Sequence, residues 1–220
     1  MPTSRSYGDA CGIARALDVV GERWALLVVR ELLLGPQRFS DLREALSKAS
    51  SNLVSDRLRE LRDRGVVDRR KLPPPAGSWV YELTEYGRRL EPIVLGLGAW
   101  GLDVRLPPGP RALSATSALL FLRGVARPDL DAGPATLRVE LDRRIWTVEV
   151  AGGGIDVRAG EPTAAEVSIR TDPETLVGLL EDPRRLDAAV SDQSVVVEGD
   201  LRVLRRVLLT ATTAASPAAA

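Results

Sequence analysis

Between Phe39 and Thr84 the chain carries four element signals in a row, and their spacing leaves little choice in how the segment folds. In FSDLREAL (Phe39–Leu46), Leu42 and Leu46 stand one helical turn apart. Lys48-Ala49-Ser50 is long enough only for a tight turn. In SSNLVSDRLRELRDRG (Ser50–Gly65), Leu53, Leu58 and Leu61 recur at near-helical spacing and predict a second helix with those residues facing inward. Ser50 or Ser51 can accept a backbone N–H and start that helix, and Gly65 suits the left-handed residue that ends it. VVDRRKLPPPAGSWVYELT (Val66–Thr84) then reads as two strands around a Pro/Gly-rich tip.

Helix, tight turn, capped helix and basic hairpin is the order of a winged helix-turn-helix, and it predicts double-stranded DNA as partner. The second helix of such a unit lies in the major groove, its N-terminal residues reaching base edges. With the leucines turned inward, Ser51, Asn52, Ser55 and Arg59 are the base-edge candidates. Asn can bond adenine in two places, Arg can bond guanine, and Ser is a short adaptable donor and acceptor. Ser40, Arg57, Arg69, Arg70 and Lys71 are the phosphate candidates. The bland alternative is a solvated helix face and a solvated charge run; the hairpin that follows the helix favours DNA. Consecutive strand residues point to opposite faces, so at most two of Arg69, Arg70 and Lys71 can meet one phosphate track. Pro73, Pro74 and Pro75 stiffen the tip and remove backbone donors.

The chain has 220 residues and no net charge, which at first argues against nucleic acid. The charge is unevenly spread. Residues 1–105 hold 17 Lys/Arg against 14 Asp/Glu, residues 106–220 hold 13 against 16, and 37–71 alone holds 10 against 6. The basic half suits phosphate contacts and the acidic half another task. One cysteine, Cys11, allows no intrachain disulfide, which favours the cytoplasm. The N-terminus lacks the apolar core of a signal peptide, and no stretch has the length of a membrane span. No histidine occurs, which removes the Ser/His/Asp and Cys/His machineries and the commonest transition-metal ligand. No catalytic site, metal or cofactor is expected.

Around the motif, Cys11–Val20 and Arg23–Gly35 read as helices, the second stopped by Gly35-Pro36. A further helix begins at Thr84-Glu85-Tyr86-Gly87 and places Leu90, Ile93, Val94, Leu97 and Trp100 on one face, read as a homodimer surface. Gly96–Gly101 matches G-x-G-x-x-G, but a helix-like stripe precedes it and prolines follow, so it is set aside as a chance match. Gly152-Gly153-Gly154 is better read as a hairpin turn than as a phosphate loop. Three prolines in Leu106–Pro110 mark a stiff spacer. The expected division is a DNA-binding and dimerisation domain at 1–105, a linker at 106–111, an α+β domain at 112–210 and a flexible tail at 211–220. In that second domain a helix at Ala112–Val125 precedes four alternating strands, Thr136–Leu141, Ile145–Val150, Ile155–Ala159 and Glu166–Thr171. Their short connections predict an antiparallel meander. A helix from Asp172-Pro173, a strand at Ser194–Gly199 and a last helix capped by Asp200 complete it. The fold class is α+β, a mostly antiparallel sheet covered by helices behind a winged helix-turn-helix.

Several stretches resemble the HxlR family of winged-helix regulators, relatives of the MarR group. They are Cys11 with Leu17-Asp18, Gly21-Glu22-Arg23-Trp24, FSDLR, Val54-Ser55-Asp56-Arg57-Leu58, GVVDR and YELTEYGRRL, spanning Cys11 to Trp100. Arg23 stands where the family usually has Lys, and the triple-proline tip also departs from the pattern. The resemblance implies a dimeric bacterial transcription regulator. It also implies that Cys11 can act as a redox-sensing thiol, as a cysteine at this position does in some members, with Arg15 available to lower its pKa; the alternative is a small buried apolar residue. The second half, Ala112–Leu209, is similar to sterol-carrier-protein-like domains in VELDRRIWTVEV, in GGGIDVRAGEPTAAEVSIRTDPETLVGLL and in VVVEGDLRVLRRVL. That likeness implies an apolar tunnel for a hydrophobic small-molecule effector, with Phe121 and Trp146 as candidate lining. The rival function is a lipid carrier whose first domain serves only dimerisation.

Overall fold

The computed structural model describes residues 6–105, 112–125 and 133–212. The expected linker at 106–111 and the tail beyond Thr212 lie outside them. The chain divides into two compact units, 1–112 and 113–220.

In the first unit, α1 (Gly12–Val20) and α2 (Ala25–Leu32) precede α3 (Phe39–Ala45) and α4 (Ser51–Asp63). The hairpin β1 (Val67–Lys71) and β2 (Trp79–Leu83) follows, then α5 (Glu85–Arg88) and α6 (Glu91–Gly101). Val28, Val29 and Leu32 of α2, Leu42 of α3 and Val54, Leu58 and Leu61 of α4 form one buried core with Val66, Val67 and Leu83 at the root of the hairpin. Val54, rather than Leu53, takes the innermost position at the start of α4; Leu53 is only partly buried. A 100° step per residue puts 54, 58 and 61 on a narrower arc than 53, 58 and 61.

The single helix expected after the hairpin is two. Arg89 and Leu90 close α5 with short-range bonds to Tyr86 and Gly87 before α6 begins with Pro92 in its first turn. The apolar stripe divides between two faces at and along α6. Leu90 and Val94 pack on the unit's own core, whereas Ile93, Leu97 and Trp100, one turn apart, are exposed. The G-x-G-x-x-G match lies inside α6 and makes no phosphate loop.

The hairpin is anchored at its root and along β2. At its root the Val66 carbonyl accepts from the Thr84 N–H at 3.1 Å and from its hydroxyl at 3.2 Å, while the Thr84 hydroxyl also accepts from the Gly87 N–H at 3.0 Å. Gly65, at φ +72°, ends α4 in the left-handed region. Along β2, Gln37 exchanges both backbone bonds with Tyr81, at 2.9 and 2.8 Å, and donates its buried side-chain amide to the Glu31 carbonyl. The wing is thereby fastened to the end of α2.

In the second unit, α7 (Ala115–Val125) precedes β3 (Ala135–Leu141), β4 (Arg144–Ala151), β5 (Gly154–Ala159) and β6 (Val167–Thr171). Then come α8 (Pro173–Glu181), a 3-10 turn at Pro183–Arg185, α9 (Leu186–Ser191), β7 (Val196–Gly199) and α10 (Leu201–Thr212). The last helix thus takes in the first two residues of the expected tail, and α9 was not anticipated. Both early hairpins turn on pairs of left-handed residues, Asp142-Arg143 and Gly152-Gly153, as two-residue loops require. The sheet order is β5-β4-β3-β6-β7.

The expected meander stops at β5, because β6 pairs parallel with β3. The connection from Gly160 to Glu166 runs back across the sheet's polar face. Glu161 binds the Arg138 guanidinium at 2.9 and 3.2 Å, and the Gly160 carbonyl accepts from the buried Thr147 hydroxyl at 2.9 Å. A seven-residue connection looks like a hairpin by length, and these cross-sheet contacts decide otherwise. The opposite face is apolar. Leu137, Val139, Leu141, Trp146, Val148, Val150, Val167 and Ile169 are all buried there. Helices α7, α8 and α10 supply the facing leucines and valines. Among the described residues no helix is long and apolar enough to cross a membrane.

Gly87 tests the anchoring of the wing. A Cβ there would lie 2.0 Å from the Val66 carbonyl oxygen and 3.0 Å from its carbon, so backbone would have to move. Gly87→Ala is expected to cost at least about 2 kcal/mol, as overpacking against unyielding atoms does. Gly12→Ala, where a Cβ meets nothing within 4 Å, should stay within about 0.5 kcal/mol. Calorimetry of the full chain checks this: equal melting of the two variants refutes the assignment of Gly87 as the tight point.

Candidate nucleic-acid interface

The second helix of the pair begins cleanly. The Ser50 hydroxyl accepts from the Leu53 N–H at 3.3 Å, and an N-cap of this kind is worth about 1 kcal/mol. The turn before it is fixed by the Ala49 N–H bonding the Leu46 carbonyl at 2.8 Å, with the Arg43 guanidinium donating to the Ala49 carbonyl. Arg43 was not among the expected residues; its role is to hold the angle between α3 and α4.

With Val54, Leu58 and Leu61 inward, Ser51, Asn52, Ser55 and Arg59 are all exposed. Ser51 and Asn52 stand on the first turn, the part of a recognition helix that reaches bases. Arg59 pairs with Asp56 at 2.7 Å. Both are largely exposed, and such a pair holds the guanidinium only weakly. Ser40 is exposed at the start of α3, but its hydroxyl donates to Asp41 at 3.1 Å, so a phosphate there would also meet a carboxylate.

Arg57 stands apart from this exposed set. Its side chain is 12% exposed and its guanidinium lies 2.5 Å from Glu60 and 3.6 Å from Glu22. It ties α4 to the corner between α1 and α2. Leu58 must point inward, and on a helix the residue beside it is drawn to the edge of the core, where a carboxylate can reach it.

The wing register sorts the three consecutive cations. Arg69 lies opposite Tyr81 and Lys71 opposite Trp79, while Arg70 lies opposite Val80. Arg69 and Lys71 share one face with the two aromatics. Arg70 is on the other, with its Nε donating to Glu82 at 2.7 Å, which holds the guanidinium still more firmly in its charged form. Two of three cations share a face, as strand alternation requires. Trp79 escaped the sequence reading, although its place two residues before Tyr81 in WVYEL already set it on the face of Arg69.

Cys11 is exposed and is the N-cap residue of α1. The N–H groups of Ile13 and Ala14 pull its pKa below the ordinary thiol value, outweighing a small desolvation in the other direction. The cause is the helix start rather than the Arg15 guanidinium, and the buried alternative does not hold. In the second unit Trp146 is wholly buried on the apolar sheet face, with the Arg144 guanidinium 4.9 Å from its ring centre. Phe121 is half-buried and off the helical stripe formed by Ala115, Ala118, Leu119 and Leu122. Of the two, Trp146 is the one set squarely in the layer between sheet and helices.

The HxlR-like helix-turn-helix family matches residues 19–107, and the SCP-2 sterol transfer family matches 117–208. YvaP of Bacillus subtilis (strain 168), named as an HTH-type transcriptional regulator, is 38% identical over 89 residues, which is 40% of this chain and 82% of YvaP. YodB of the same organism, also named as an HTH-type transcriptional regulator, is 33% identical over 94 residues, 43% of this chain and 83% of YodB. Among solved structures, the redox regulator HypR in its oxidized form is 33% identical. It covers 44% of this chain and 100% of its own, with a TM-score of 0.41. These relatives are named as regulators and not as enzymes. The chain belongs to the HxlR-like helix-turn-helix family of transcription regulators and carries an SCP-2-type domain behind its DNA-binding unit.

Proposed function

We propose that the protein is a homodimeric, sequence-specific DNA-binding regulator whose affinity for its operator responds to a hydrophobic small molecule held by the second unit. The observation that carries the DNA reading is the pairing of an exposed Ser51-Asn52-Ser55 edge on α4 with a wing face bearing Arg69 and Lys71. Base edges are met by the first set and phosphates by the second. Arg59 joins the base-edge set and Ser40 stands at its margin. Arg70 adds charge from the wing's other face, and Arg57 is structural.

The assignment separates two basic residues by experiment. On a duplex from the region upstream of its own gene, Lys71→Ala should weaken binding and reduce the salt slope by about one. Arg57→Ala should leave that slope unchanged and lower the melting temperature. A gel shift over a salt series with a parallel melt measures both. An unaltered slope for Lys71→Ala removes the wing from the interface, and no specific shift of the wild type at low salt favours the carrier reading.

Dimerisation is supported by exposed apolar side chains on α6 (Ile93, Leu97 and Trp100) and on α1 (Ile13 and Leu17). Clustered exposed apolar groups on single helices call for a partner. Two α4 helices related by a two-fold would read half-sites about 10–10.5 bp apart, or a multiple. Leu97→Glu should yield a monomer in sedimentation and lose operator binding; a dimer that persists moves the interface elsewhere.

The effector reading rests on the match to the sterol transfer family and on the apolar layer around Trp146. Such a ligand regulates only if it binds the DNA-competent and incompetent states with different affinity. A fluorescent fatty acid added to the full chain should quench Trp146 and shift the operator midpoint. Binding with no shift leaves a carrier, and absence of binding ends the proposal. Thiol sensing at Cys11 is the second reading, favoured by its exposure and lowered pKa.

A further inference from the structure

The corner between α1 and α2 is held more tightly than a connection between two helices requires. A Cβ at Gly21 would lie 2.5 Å from the Leu17 carbonyl oxygen, so the backbone at the end of α1 has no room to shift. Three residues on, Trp24 takes φ +79°, a left-handed conformation that a bulky residue rarely adopts. Such a conformation persists only where the surroundings fix it, and here the Trp24 side chain packs against the core of the unit. Glu22 lies between these two points, and its carbonyl accepts from the Ala25 N–H at 3.0 Å. Its carboxylate is therefore carried on fixed backbone, 3.6 Å from the Arg57 guanidinium of α4. Arg57 already has a nearer carboxylate on its own helix, Glu60 at 2.5 Å. Glu22 is itself 57% exposed, where an ion pair adds little to stability. It differs from Glu60 in one respect: it belongs to another element, and so it ties α4 to a fixed corner.

We infer that Glu22 is a positioning residue that fixes, through Arg57, the roll of α4 about its own axis, and thereby sets the half-site spacing that the dimer accepts. At about 100° per residue, Arg57 stands at the edge of the buried stripe of Val54, Leu58 and Leu61, while Asn52 and Arg59 stand on the far side of the helix. Burial of that stripe resists withdrawal of α4 from the core, but hydrophobic contact is non-directional and resists a small roll weakly. An ion pair at the edge of the stripe supplies the missing direction. A roll carries Asn52 and Arg59 around the helix axis relative to α1, whose exposed Ile13 and Leu17 belong to the proposed dimer surface. Each base pair between two half-sites turns one against the other by about a tenth of a turn, so the roll of α4 and the accepted spacing are linked. The inference rests on the DNA-binding and dimer readings and deepens them: the exposed edge of α4 reads bases, and Glu22 sets where that edge points.

The test uses the full chain and a duplex with two inverted half-sites, selected by the wild type from a random-sequence pool and remade with one base pair added or removed between them. The readout is the ratio of affinities at the selected and altered spacings, in which any loss of folded protein cancels. Glu22→Gln keeps the size of the side chain and removes its charge. It should relax the spacing preference roughly threefold, the scale of one partly exposed ion pair, and leave the melting temperature unchanged. Glu60→Gln removes the nearer carboxylate and should do the reverse, lowering the melting temperature while the spacing preference holds. Arg57→Gln should relax the preference as far as Glu22→Gln does, and the double variant no further, since Glu22 acts only through Arg57. A Glu22→Gln protein that keeps the wild-type preference, or that melts as early as Glu60→Gln, overturns the inference and leaves DNA binding intact. Equal relaxation by Glu60→Gln, or additive effects of Glu22→Gln and Arg57→Gln, overturns it in the same way. A selected site without an inverted repeat overturns the dimer reading, a wild type that selects no duplex overturns the DNA reading, and the inference falls with either.

Discussion

The architecture of the first unit turns on the Val66 carbonyl. It accepts from both the N–H and the hydroxyl of Thr84, and the approach is so close that residue 87 can carry no side chain. Four elements meet there: the end of α4, the start of β1, the end of β2 and the start of α5. Each hydrogen bond is worth about 1 kcal/mol net, which is modest. Their importance is geometric. The recognition helix and the wing are contiguous in sequence and could hinge about Gly65, and the Val66 junction removes that hinge. A two-element reader works only if both parts keep one fixed offset, because the groove and the phosphate track beside it are themselves at a fixed offset.

A second constraint acts midway along β2. Gln37 adds a one-residue third strand to β2 and is itself buried, with its amide on the Glu31 carbonyl. A two-stranded ribbon alone is marginal in water, and this link to α2 supplies what the ribbon lacks. Once the ribbon is held, strand alternation decides which cations share a face. Arg70 falls opposite Val80, beside Glu82, and Arg69 and Lys71 fall with the aromatics. The same rule that keeps hydrophobic residues on one side of a sheet thus divides the basic run of the wing between structural pairing and exposed charge.

Local signals made most of the first unit legible. Ser50 as cap, Gly65 as stop, the turn between α3 and α4 and the two strands around the prolines all follow from nearest-neighbour chemistry. What was not legible depends on partners distant in sequence. Arg57 looked like a free cation because Glu22 lies 35 positions earlier. The apolar stripe after Thr84 looked continuous because nothing local shows that Leu90 and Val94 turn to the core while Ile93, Leu97 and Trp100 do not. In the second unit the strands were plain from alternation, yet the parallel pairing of β6 with β3 was hidden, since it rests on Glu161 reaching Arg138 and on Thr147 reaching Gly160. Alternation reports which face is buried; it does not report which edge the next strand takes.

That crossing shapes what the second unit can do. By passing over the polar face, the Gly160–Glu166 connection leaves the apolar face clear for α7, α8 and α10. It also inserts β6 between β3 and β7, so the five strands run in the order β5-β4-β3-β6-β7 and not as a simple meander. The covering layers are filled almost wholly by Leu, Val, Ile and Ala, with Trp146 the one large ring in the sheet. Branched aliphatics make up most of the two apposed layers, with the buried Thr116 of α7 among the few polar residues there. Trp146 breaks that uniformity, and Arg144 over its ring places a cation at the rim of an otherwise uncharged layer. A hydrophobic ligand entering between sheet and helices would replace aliphatic contacts with aliphatic contacts, at little cost to the fold. The effector proposed for this protein is therefore assigned to the apolar layer of the second unit and not to its charged outer face.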